Sequence, residues 1–240
     1  MKKYKDFDPI KKTDLSLSYE IVQKGTLFIT PEKGMIDNRP TCSVLRFEKK
    51  NLFSSERWNV LIDIDHPAKN PDDIVNSLAS IGLKPEQIDV IILTHLHPDH
   101  IGHKDIFPNA HFIFHRDERL SFYFKENRTF ELESSVIWKI MENRLPEVID
   151  YKPEFKELNN NLFIKHCPGH TKGSLVVFAN IDNLVHAFVG GTFLNQDYYN
   201  RWEPPGMSWE KERIYEHMSF IKENADVIIP GHGEPFRIMK

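Results

Sequence analysis

The sequence predicts an α/β protein in four layers, with two sheets inside and helices outside. Short apolar runs of strand length recur along the chain. Three stretches read as helical instead, and the order of strands, helix and strand comes twice, in two similar halves. A chain of 240 residues buries a substantial core without covalent staples. Nothing in it reads as a flexible linker, so residues 1–240 are expected to form a single domain.

Tyr19–Thr30 carries two apolar bursts around Gly25, which predicts two strands at a turn. Thr41–Phe47 and Trp58–Asp63 follow as strands, separated by the polar stretch Glu48–Glu56. In Pro71–Gly82 the apolar residues Ile74, Val75, Leu78 and Ile81 fall at helical spacing, opened by proline and acids and closed by glycine. Asp89–Thr94 is a continuous apolar run, as expected of a strand buried on both faces. His111–His115 reads as another strand. The segment 116–151 turns helical and aromatic, with Phe122, Tyr123, Phe124, Phe130 and Trp138. Leu162–His166, Ser174–Ala179 and Leu184–Val189 are predicted strands, Glu210–Glu223 a helix, and Asp226–Ile229 a last buried strand.

Composition excludes several classes. No run approaches the ~18 apolar residues of a membrane span, so no membrane association is expected. The N-terminal lysines are followed by no apolar stretch of signal-peptide type, which points to a cytoplasmic protein. A net charge of −4 argues against a broadly basic nucleic-acid binder. Two cysteines, Cys42 and Cys167, make a disulfide framework improbable, and both are expected to be buried.

The chemistry sits in the histidines. His95-Leu96-His97-Pro98-Asp99-His100 places four candidate ligands in six residues, directly after a buried strand. Neutral imidazoles and a carboxylate at a strand's carboxyl end are well placed to converge on a divalent cation. His170, in Pro168-Gly169-His170-Thr171, and His232, in Gly231-His232-Gly233, stand in the same context, each beside a glycine after a strand. Either alone is an ordinary turn histidine. With the cluster they read as ligands. His66 reads as a loop residue, and His103, His111, His115, His166, His186 and His217 read as structural.

In order and spacing, His95-x-His97-x-Asp99-His100, Pro-Gly-His170-Thr and Gly-His232-Gly resemble the metallo-β-lactamase superfamily over roughly Tyr19 to Phe236. The resemblance implies an αβ/βα sandwich with a metal site at one edge between the halves. It implies that His95, His97 and His170 bind a first metal and Asp99, His100 and His232 a second. It casts Asp63 as the acid that supports the metal-binding loop from behind. Zinc, one or two ions, is the cofactor so implied, with iron or manganese as alternatives. The tail from Met207 to Phe236 is similar to the group of metallo-β-lactamase domain-containing protein 1, which is associated with RNA cleavage.

One position departs from that pattern. Gly191, in Val189-Gly190-Gly191-Thr192, stands where the family has an aspartate bridging both metals. Its loss removes one ligand from each metal and a negative charge from between two dications. One metal, or two held weakly, is then expected; restoring aspartate at 191 should bring the count nearer two. Asp197 is a candidate substitute.

A divalent ion on three neutral histidines brings the pKa of water from about 15.7 towards ~7. Asp99 is the candidate catalytic residue, orienting the nucleophile and sharing in proton transfer. The expected activity is hydrolysis of an ester, thioester, lactone or phosphodiester, with a small-molecule substrate foremost and RNA as an alternative. A non-catalytic metal- or ligand-binding member with an impaired second site is the reading from another class. Tyr198, Tyr199, Arg201 and Trp202, in the stretch 195–207, are candidate substrate contacts, and a homodimer is compatible with the aromatic segment.

Overall fold

The structure, a computed structural model, describes residues 15–30, 32, 34–50, 55–115, 117–118, 156–159 and 162–239. The first half forms a five-stranded sheet in the order β1 (Leu15–Gln23), β4 (Cys42–Lys50), β5 (Ser55–Ile62), β6 (Val90–Ile92), β7 (His111–Ile113). The second half forms a six-stranded sheet in the order β13 (Phe236–Arg237), β12 (Val227–Ile229), β11 (Leu184–Phe188), β10 (Leu175–Ile181), β9 (Leu162–His166), β8 (Lys156–Asn159). Between β1 and β4 in the chain, β2 (Thr26–Thr30) and β3 (Gly34–Arg39) pair as a separate hairpin.

Alternation along the buried strands builds the layers. In β5, Val60 and Ile62 face the second sheet while Leu61 faces outward, and β6 repeats this with Val90, Ile91 and Ile92. In β12, Val227 and Ile229 face inward and Ile228 outward. Residues of both sheets, among them Leu45, Phe47, Ile164, Val177 and Phe188, fill the space between. Outside the first sheet, helix α1 (Pro71–Ser80) buries Ile74 and Leu78 against Leu61, Ile91 and Phe112. Asn70 caps it, its side chain accepting from Asp72 N, and Pro71 occupies the first turn where no N–H is needed. The short helices α2 (Pro98–Ile101) and α3 (Gln196–Arg201) come next. Outside the second sheet, α4 (Lys211–Asn224) buries Ile214, Met218 and Ile221 against Val176, Phe178 and Ile228. The layers are therefore helix, sheet, sheet, helix.

Some elements differ from expectation. Gly34–Arg39 has no alternating pattern and is a strand through its pairing with β2. Residues 196–201, read as loop, form α3, and there Tyr199 and Trp202 pack on Phe193 with centroids 5.2 and 6.0 Å away. Both are half-buried against the outer side of the second sheet's core. Arg201 pairs with Glu203 at 2.9 Å and lies over the Tyr198 ring. Of the segment 116–151 only Asp117 and Glu118 are among the described residues, and the lysine-rich start lies outside them. Cys42 and Cys167 are free and buried. Among the described residues no helix is long and apolar enough to cross a membrane.

The strands β5, β6, β11 and β12 run parallel within their neighbouring pairs, and their carboxyl ends come to one edge of the sandwich. Asp63, Thr94, Gly190 and Pro230 all follow within two residues of such an end. Chain segments leaving parallel strands at one edge form the usual crevice for a ligand in α/β folds.

His217 on α4 supplies a pH test of the packing. Burial, then the positive charges of Lys165, His166 and Arg213, pulls its imidazole down to about 4. The unfolded ring titrates near the ordinary 6.5. Its contribution to stability is therefore complete above that value and is lost as pH falls through about 4. His217→Gln is expected to flatten the decline of the urea midpoint over this window.

Candidate metal centre

Asp63 organises the edge. It leaves β5 with a positive φ of 58°, a left-handed turn that aspartate tolerates better than most side chains. The turn aims a buried carboxylate back at the end of β6. Oδ1 accepts from Thr94 N at 2.7 Å, and Oδ2 accepts from Thr94 Oγ1 at 2.8 Å. Oδ2 also takes a hydrogen bond from His100 Nδ1 at 2.8 Å. Because the Thr94 hydroxyl donates to Asp63, its oxygen is left to accept from His95 Nδ1, 3.0 Å away. Both His95 and His100 then present Nε2 on their far side. His232 is oriented the same way: its Nδ1 donates to the Arg39 carbonyl at 2.8 Å.

Two triangles of inward-facing atoms result. In the first, His97 Nδ1 lies 3.1 Å from His95 Nε2 and 3.0 Å from His170 Nε2. In the second, Asp99 Oδ2 lies 3.4 Å from His100 Nε2 and 3.5 Å from His232 Nε2, and those two nitrogens are 3.4 Å apart. A tetrahedral ion with donors at about 2.0–2.1 Å sets neighbouring donors about 3.3–3.4 Å apart. The second triangle matches that edge, and the first is a few tenths of an ångström tighter. The outward hydrogen bonds of His95, His100 and His232 turn their Nε2 atoms inward, towards His97 Nδ1 and His170 Nε2 in one group and Asp99 Oδ2 in the other. A cation satisfies such a set, and both groups could hold one.

The electrostatics differ from ring to ring. Burial, reinforced by the neighbouring rings of His100, His97, His170 and His232, holds His95 well below the ordinary imidazole range. Burial and then His100 pull His232 down to about 4. Both are neutral ligand forms at pH 7. Burial pushes Asp99 up, but the imidazoles of His100, His232 and His97 outweigh it and leave the carboxyl below its usual value. His100 is drawn down by burial and raised on balance by Asp63 and Asp99.

The structure thus brings together all six side chains singled out in the sequence: His95, His97 and His170 in one group, Asp99, His100 and His232 in the other. Asp197 joins neither; it is exposed in the first turn of α3. His66 stands apart too, its Nδ1 accepting from Ala68 N. A third grouping, His115, Asp117 and His166, has ligand atoms within 4.8 Å of one another. Its two rings are stacked, with centroids 3.7 Å apart and planes 10° apart. Lone pairs lie in the ring planes, so here they run side by side and do not converge.

Three contributors have no signature in the sequence. Asn38 on β3 donates through Nδ2 to Asp99 Oδ2 at 2.9 Å. The Arg39 carbonyl orients His232, as above, and a carbonyl is common to every residue. Glu118, fully buried, hydrogen-bonds Leu96 N and Gly173 N beside the first triangle. Only Thr94, adjacent to His95, was within reach of a motif reading.

Gly191 proves to be more than a missing acid. A Cβ built on it would lie 1.9 Å from His170 Cδ2 and 2.4 Å from Cγ. The His170 ring occupies the space in which any side chain at 191 would begin. A side chain at 191 therefore requires the His170 ring to shift.

A family model for the metallo-beta-lactamase superfamily matches residues 54–232. The chain belongs to that superfamily. It is 28% identical over 185 residues to metallo-beta-lactamase domain-containing protein 1 of Xenopus laevis, covering 75% of this chain and 69% of the relative. It is also 28% identical over 155 residues to an N-acyl homoserine lactonase from a Bacillus species, covering 63% of this chain and 57% of the lactonase. Among solved structures, a Thermotoga maritima protein described as a metallo-beta-lactamase superposes with a TM-score of 0.66 at 17% identity, over 92% of this chain and 99% of that one. A dizinc quorum-quenching lactonase in complex with its product gives 0.63 at 17% identity, over 83% of this chain and 74% of that one. The four-layer sandwich is the metallo-beta-lactamase fold, as the resemblance implied.

Gly191→Ala tests the contact with His170. Overpacking of this kind is expected to lower the stability of the metal-free chain by about 1–3 kcal/mol, read from denaturant midpoints.

Proposed function

We propose that this chain is a metal-dependent hydrolase of a small-molecule ester-type bond, a lactone foremost, with zinc held by His95, His97 and His170 and by Asp99, His100 and His232. The observation that carries this is the pair of inward-facing triangles, three imidazoles in one and two imidazoles with a carboxylate in the other, each with its ligand atoms within 4.8 Å of one another. Membership of a superfamily of metal-dependent hydrolases supports it, as do the lactonases among the relatives. Imidazole-rich donor sets suit zinc, with iron and manganese as the competing ions.

Bound there, a divalent ion supplies Lewis acidity and brings the pKa of water from about 15.7 towards ~7. The chain's own residues supply position. Asp99 is ionised at neutral pH, and a carboxyl kept that acidic is a weak base. Its part is to accept a hydrogen bond from the attacking water and aim it, while Asn38 steadies the carboxylate through a hydrogen bond to Oδ2, the oxygen that faces His100 and His232. His95, held by burial well below the ordinary imidazole range, offers a neutral ring, and His97 and His170 stand already grouped with it, an arrangement that suits preorganised catalysis. Gly191, with the His170 ring packed against it, supplies no carboxylate, which leaves the centre more positive than one with a bridging aspartate. That favours substrates whose transition state gathers negative charge on oxygen, as ester and lactone hydrolysis does.

Elemental analysis of purified protein should find at least one zinc per chain, and His97→Ala should lose it. A panel of lactones, thioesters, esters and phosphodiesters should show turnover on a carbonyl substrate that ceases with a chelator and returns with zinc. Asp99→Asn should reduce kcat by about 10²-fold or more. Tight metal without turnover on any member would establish a binding protein, and turnover confined to phosphodiesters would move the assignment to nucleic acid or nucleotide chemistry. Gly191→Asp should hold less metal than the unsubstituted chain, because His170 is displaced.

A further inference from the structure

Glu118 is a completely buried carboxylate that belongs to neither triangle. Burial pushes its carboxyl up to about 7, against three hydrogen bonds that favour the ionised form. Oε2 accepts from Leu96 N at 2.8 Å, the residue between His95 and His97. Oε1 accepts from Gly173 N at 2.7 Å and from the hydroxyl of Thr171, the neighbour of His170. Thr171 is locked in turn, its N–H donating to Ser174 Oγ at 3.0 Å. A Cβ at Gly173 would lie 2.7 Å from Glu118 Oε1, so glycine is what admits the carboxylate to the loop.

One carboxylate thus grips both loops that carry the first triangle, the loop after β6 and the loop after β9. A backbone bond, Leu175 N to Thr94 O at 2.7 Å, ties the same loops farther from the histidines. We infer that Glu118 is a positioning residue that sets the spacing between His95/His97 and His170, and through it the affinity of that set for a cation. The inference rests on reading those histidines as ligands. Glu118 touches neither the cation nor the substrate. It acts as outer carboxylates do in metal sites, here through two loop backbones instead of through an imidazole N–H.

The test is cobalt and zinc binding to the full-length chain by chelator competition, with the visible cobalt spectrum as a geometric readout. Glu118→Gln keeps the size but turns an NH2 group towards a backbone donor. It is expected to weaken binding at the His95/His97/His170 set about 10–100-fold and to alter the cobalt bands of that set. Binding at the Asp99/His100/His232 set stays as it was. Thr171→Val removes one of the three bonds with little change of shape and should give a smaller loss in the same direction. It serves alone if Glu118→Gln does not fold. Unchanged affinity and spectrum in the folded variants would overturn the role of Glu118 while leaving the ligand assignment intact. An unsubstituted chain that binds neither ion, or binds equally well after His97→Ala, would overturn both.

Discussion

The Asp63 carboxylate is the constraint on which the candidate centre depends. It is buried, held in a left-handed turn, and receives the backbone and hydroxyl of Thr94 together with the ring of His100. A buried carboxylate without donors is costly by several kcal/mol, so the ends of β5 and β6 and the helix α2 are bound to one another's geometry. Through Thr94 the constraint passes to His95, which lies in the other triangle. One acid therefore orients a ring in each group without being a member of either.

Around this anchor the support is asymmetric. The second triangle leans on the β2–β3 hairpin, through the Asn38 amide and the Arg39 carbonyl. The first leans on Glu118 and on the close packing of His170 over Gly191. The hairpin is itself fastened by Lys69 to Asp37 at 2.8 Å and by Arg39 to Asp73, both reaching into the loop and helix that follow Asp63. Half-buried pairs of this kind add modest stability singly, but here they fix the distance between a hairpin and a site.

Much of the fold was legible because its strands are apolar on both faces. Asp89–Thr94 and Asp226–Ile229 admit few other readings, and each delivers a histidine within three residues of its end. The six gathered side chains were legible because four fall within six consecutive residues and the other two follow strands beside glycine. What escaped was support that acts at long range. Asn38 meets Asp99 across 61 positions, and Glu118 meets Gly173 across 55. Neither is distinguishable in the chain from any surface amide or acid. Gly191 misled for a related reason: a motif records which side chain is missing, not that a ring from another loop has taken its space.

The Nε2 atoms of His100 and His232 face each other across 132 positions of sequence. An ion gripping both would close a loop of that length, as a cross-link does, and the entropy it removes from the unfolded chain grows only with the logarithm of the span. Unlike a disulfide, such a staple opens and shuts with the free cation concentration. The protein's resistance to unfolding would then follow the supply of metal around it, rising by mass action long after the site is full.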